Sequence, residues 1–173
     1  MQLLEKSRFD QKYKYIIEAM DMPPPTVHFS MPPAYVQSVD TFKGYARSDE
    51  MRQLETVVAC LVLEAGGEGT VGMEAVNEVI HNRSKKQKKS LYQIVTARKQ
   101  FSCFNGGVYA AVQQAKKHPK WTEATRILRN ELTNHTRGAD HYHTLSVRPS
   151  WGKELLKRGA KTITIKHHIF YHF

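Results

Sequence analysis

Acidic residues are missing from the whole stretch between Glu78 and Glu123, where Arg83, Lys85, Lys86, Lys88, Lys89, Arg98, Lys99, Lys116, Lys117 and Lys120 are all basic. Over its 173 residues the chain carries 26 Lys and Arg against 16 Asp and Glu, a formal charge of +10. Such a field favours an anionic polymer: nucleic acid, an acidic membrane surface or a bacterial envelope. A solvated basic loop that merely keeps the protein in solution has the same composition. Cysteine is scarce too. Cys60 and Cys103 have no metal-site spacing, so a zinc ribbon or a disulfide framework is excluded, and Cys60 reads as a small buried hydrophobe. No apolar run is expected to span a bilayer and no basic-then-apolar leader opens the chain, which argues for synthesis in a reducing cytosol and against a membrane span. No internal repeat is apparent.

The length suits one domain with a short arm, and is enough to bury a core without staples. Residues 1–47 form the arm. A helix-compatible pattern runs to about residue 20, and Pro23, Pro24, Pro25, Pro32 and Pro33 then mark an extended connector over 21–47. The main domain, 48–173, opens with the most hydrophobic helix, about 49–65, in which Leu54, Val57, Val58, Leu61 and Val62 recur at helical spacing and Gly66-Gly67 supply a stop. A second helix is predicted from Thr70 to Arg83, with Met73, Val76, Val79, Ile80 and Arg83 on one side. Lys85 to Lys89 read as a loop, and Ser90 caps a short helix to about Ala97. Further helices are predicted at about 108–117 and 122–132. The segments 140–144, 162–165 and 168–171 alternate as strands do. The class is α+β, mainly helical, with a small C-terminal sheet.

Glu64 stands out. It lies along the edge of the apolar stripe in the last turn of the first helix, half out of water, a placement suited to delivering a proton to a leaving group. A solvated edge glutamate fits the same spacing. Glu68, after the two glycines, reads either as a second functional carboxylate or as a structural acid that caps the following helix. His141 and His143, two apart in a strand, share a face, and zinc completed by His135, His118 or Asp140 would suit an amidase. No His-Glu-x-x-His run supports that reading. A nucleic-acid-binding module is the non-enzymatic alternative, although neither an RNP-like motif nor a zinc finger accompanies the lysines.

Read in order, several blocks resemble the SleB/CwlJ-type cell wall hydrolases, a family that includes spore-cortex-lytic enzymes and phage lysins. Glu64-Ala65-Gly66-Gly67-Glu68 is similar to the family's Gly-Glu-Ala-Arg-Gly-Glu signature, and Asn82-Arg83 to an Asn-Arg pair. Gln100-Phe101-Ser102-Cys103 matches another block, and Gly138-Ala139-Asp140-His141-Tyr142-His143 is similar to Gly-Ala-Thr-His-Tyr-His. Val147, Pro149, Trp151 and His168 to Tyr171 complete the order over about 55–173. Leu63, Gly66, Asp140 and Phe104 stand where the family has Gly, Arg, Thr and Trp.

The resemblance implies a lysozyme-like fold of the lytic transglycosylase type, without cofactor or metal. It implies attack on the β-1,4 bond between N-acetylmuramic acid and N-acetylglucosamine, with Glu64 as the general acid and base. A hydrolytic muramidase using Glu64 with Glu68 remains the alternative. Gln100, Tyr142 and His143 are the substrate-binding candidates, while Phe101 and Trp151 read as core. Peptidoglycan is the expected partner, with the anionic envelope met by Lys85, Lys86, Lys88 and Lys89, and no specific nucleic acid. The expected setting is a phage endolysin that accumulates in the host cytoplasm and reaches the wall once the membrane is opened.

Overall fold

The computed structural model describes residues 38–173. By packing, the chain divides into two units, 1–55 and 56–173. The expectations for residues 1–37 lie outside the described residues. Of the first unit, 38–55 is helical and forms the start of α1, Ser38–Ala65. An extended connector was expected as far as residue 47, so its last ten residues are helical instead.

Within the second unit α1 is not a one-sided amphipathic helix. Every residue from Val57 to Val62 is buried, which places this stretch at the centre, wrapped on all sides. Gly66-Gly67 tighten the chain without ending the helical run: Gly66–Glu68 form a 3-10 turn, and α2, Gly69–Gln87, follows at once. Gly69 makes this possible, since its φ of 73° lies in the left-handed region. Because the break is so short, the helical stretch Ser48–Gln87 is long and apolar enough, by length and composition, to cross a membrane, contrary to the sequence expectation. Its most apolar window is 61% buried in the protein itself.

The structure also moves the lysines. Lys85 and Lys86 belong to the last turn of α2, where cations face the negative end of the helix dipole, and Lys88 takes the left-handed cap at φ 54°. The basic segment is thus a helix end rather than a free loop. Ser90 caps α3, Leu91–Val95, through a reciprocal capping box with Gln93. A 3-10 turn at Ser102–Phe104, α4, Val108–Lys116, and α5, Trp121–Arg129, follow.

The C-terminal part builds a three-stranded antiparallel sheet, ordered β1-β3-β2, from β1, His141–Thr144, β2, Lys161–Ile165, and β3, His168–His172. Helix α6, Ser150–Lys157, lies between β1 and β2 in the chain and was not anticipated. The register sets Tyr142 opposite Phe170 and His143 opposite Ile169. One sheet face, with Phe170, Tyr142, Ile163 and Ile165, packs on Ala75 and Val79 of α2 and on Ala139. The other, with Tyr171 and Ile169, packs on Leu155 of α6 and on Ala160. The class is mainly helical α+β.

Candidate active site around Glu64

Glu64 leaves the central helix one residue before it ends and is half-buried. The Tyr142 hydroxyl donates to its Oε2 at 3.0 Å, across 78 residues of chain. The Cys103 main-chain N–H, in the Ser102–Phe104 turn, approaches Oε1 at 3.4 Å. Two neutral donors, one from strand β1 and one from the Ser102–Phe104 turn, therefore hold the two oxygens of one carboxylate.

Tyr142 is fixed by its neighbours. Its ring stacks on Phe170 at 5.4 Å and meets the His168 ring edge-on at 5.1 Å. Burial, reinforced by the Glu64 charge, pushes the phenol well above its ordinary range, so it remains a proton donor at any working pH. His168 is buried as well; among the described residues its Nδ1 has no partner, and burial holds the imidazole below its usual value, which keeps it neutral.

The end of α2 positions the strand. Asn82 Nδ2 donates to the Ala139 carbonyl at 2.8 Å, and Arg83 Nε to the Asp140 carbonyl at 2.6 Å. These bonds pin the two residues that lead into β1. Arg83 also donates to Gln100 Oε1 at 3.2 Å and lies 5.3 Å from the centre of the Phe101 ring, tying the loop before Cys103 to the same anchor. Both arms that reach Glu64 are thus referenced to one buried guanidinium. The Asp140 carboxylate itself accepts from His141 Nδ1 at 2.6 Å and from Lys86 Nζ at 2.5 Å. His141 first, then Lys86, hold that carboxyl far below the usual range.

A model of the cell wall hydrolase family matches residues 67–171. The chain belongs to the cell wall hydrolase family. No curated protein and no solved structure matches it.

In this cell wall hydrolase the candidate residues do not all converge. Glu64 and Tyr142 touch. Gln100 is exposed and is tied to the site through Arg83. His143 lies on the opposite sheet face from Tyr142, as strand alternation requires, with Nε2 on the Tyr171 hydroxyl at 2.9 Å and Nδ1 on the Thr144 carbonyl at 2.7 Å. Both its nitrogens are engaged within the protein.

Glu68 occupies the N-cap position of α2 but makes no side-chain cap bond, contrary to the capping alternative. It reaches the β2–β3 turn instead, accepting from the His167 main-chain N–H at 2.9 Å and from its imidazole at 3.1 Å. Partial burial alone would push this carboxyl up, but the His167 bonds outweigh that and hold it below its ordinary value. Gly72 is needed for this pose, because a Cβ there would fall 2.2 Å from the Glu68 Cβ.

At Gly66, where the family has Arg, the His118 imidazole lies 3.1 Å from where a Cβ would stand. An arginine would have to displace that ring. Among the described residues no group of three or more His, Cys, Asp or Glu side chains is arranged to hold a metal ion.

Sequence reasoning passed over Arg83 and His168 as members of the site. The signals were present: Arg83 falls on the buried stripe of α2, and His168 shares the strand phase of Phe170. A charge and an imidazole in line with core positions need local partners.

Proposed function

We propose that this chain cuts the β-1,4 bond between N-acetylmuramic acid and N-acetylglucosamine in peptidoglycan as a lytic transglycosylase, with Glu64 as both acid and base. The observation that supports it is the pairing of a half-buried Glu64 with the neutral Tyr142 hydroxyl at 3.0 Å. In the first step the protonated Glu64 carboxyl gives its proton to the glycosidic oxygen, and the bond to the muramic C1 breaks. The resulting carboxylate then takes the proton of the muramic C6 hydroxyl as that oxygen attacks C1, closing a 1,6-anhydro ring. Tyr142 holds the carboxylate on one oxygen through both steps; the other, which the Cys103 N–H approaches only at 3.4 Å, keeps a lone pair for the sugar. A hydrolytic muramidase would call on Glu68 as the second carboxylate, yet that group is already committed to His167.

Mass spectrometry of muropeptides released from purified sacculi tests the reading, with Glu64→Gln beside the parent. Products ending in 1,6-anhydro-muramic acid, absent from the variant, are expected. Hydrated reducing ends would assign a muramidase. Free stem peptides lost on chelation would assign an amidase and overturn the role of Glu64.

A further inference from the structure

The outer face of the sheet, away from Glu64, presents an aromatic platform that the chemistry above does not use. Trp151, in the first turn of α6, is 38% exposed although its ring is held by three others. His141 lies 5.4 Å from it, Tyr171 5.5 Å and His143 5.8 Å, centre to centre.

The support beneath is rigid. The buried Tyr171 hydroxyl is bonded to His143 Nε2, and it fits under α6 only because residue 152 is glycine: a Cβ there would come within 2.8 Å of the hydroxyl oxygen. A large indole is therefore fixed in place yet left open to solvent. Its edge is polar, since His141 leans on it while donating Nδ1–H to Asp140, whose other oxygen binds Lys86. Among the described residues that arrangement leaves His141 Nε2 uncommitted at the platform's rim, on a side chain 41% exposed.

We propose that Trp151 is a sugar-stacking subsite for an N-acetylhexosamine ring of the glycan strand, separate from the catalytic carboxylate. A pyranose has an apolar face of C–H bonds and a rim of hydroxyls, which matches an open indole bordered by an exposed imidazole. Fixing the ring in advance lowers the ordering cost of binding. Strand β1 links the two places: Tyr142 faces Glu64, while His141 and His143 face Trp151. The subsite rests on the reading of the chain as a glycan-cleaving enzyme, which supplies its ligand.

The test uses the full chain with Glu64→Gln, so that sugar is not consumed, and Trp121→Phe, so that Trp151 is the one remaining indole of the two. The probe is the tetrasaccharide of β-1,4-linked N-acetylglucosamine, titrated while Trp151 emission is followed. A saturable blue shift is expected. In the Glu64→Gln chain alone, Trp151→Ala should weaken pelleting with sacculi by about tenfold, and Trp151→Phe should retain most of it. Unchanged emission in a chain whose circular dichroism is intact would overturn the proposal. So would a concentration-dependent dimer abolished by Trp151→Ala, which would make the face a contact between copies. If the parent releases no muropeptides while the titration saturates, the catalytic reading fails and the subsite stands.

Discussion

Replacing Glu78 by Gln should cost this protein about 3 kcal/mol of stability, because one buried carboxylate there organises the approach to β1. Glu78 is 3% exposed, and its oxygens serve four donors. Oε1 accepts from the Thr133 hydroxyl and the His135 main-chain N–H; Oε2 accepts from the main-chain N–H and hydroxyl of Thr136. Glutamine keeps a single acceptor oxygen. Whichever way its amide turns, the hydroxyl on the nitrogen side can rotate and accept, but the main-chain N–H beside it cannot. One buried donor then faces another donor, at about 1–3 kcal/mol, and the surviving bonds lose their charge assistance, at about 1 kcal/mol each. Relief from burying a charge offsets part of that sum, which leaves about 3 kcal/mol. At roughly 3 °C per kcal/mol for a chain of this size, the melting temperature should fall by about 10 °C. Thermal unfolding followed by circular dichroism reads it directly. A fall of less than about 3 °C would refute the reasoning, because the 133–136 loop would then be held by something other than this carboxylate.

Tyr142→Phe keeps the ring packed on Phe170 and removes only the hydroxyl on Glu64. A hydrogen bond to a charged group in a partly buried site is worth about 1.5–3 kcal/mol, so turnover should fall roughly 10- to 100-fold in a variant that keeps the native circular dichroism spectrum; release of soluble muropeptides over time checks it, and full activity would remove Tyr142 from the mechanism. The pH dependence of stability should show the Asp140 anchor. Its carboxyl is depressed by His141 and Lys86, so its contribution is complete above the unfolded value of about 3.9 and is lost as pH falls toward the lower folded value. Urea unfolding of Asp140→Asn against the parent should therefore give curves that converge as pH drops below about 4, and a constant gap down the acid limb would contradict the assignment.

Much of this protein was legible in its sequence. The helix through Val57 to Val62, the Ser90 cap, the alternation of the three strands and the position of Glu64 in the last turn of the first helix all follow from local rules, whereas the burial of Val57 to Val62 on every side does not. Local rules also required Tyr142 and His143 to face opposite ways. They could not say which of the two met Glu64, since that depends on which sheet face packs on α2. The glycines misled for a related reason: Gly66-Gly67 permit a stop, but a three-residue tightening lets α2 start immediately, and packing rather than propensity chooses between them. The roles of Glu68 and Trp151 were beyond periodicity altogether. Glu68 found its partner at His167, 99 residues along the chain, and Trp151 was left open by a helix whose fit over Tyr171 depends on Gly152. Sequence by itself determined the fold class, most of the elements and the family blocks. Only the tertiary structure decided what each polar group touches, because those contacts join segments that have no local interaction to reveal them.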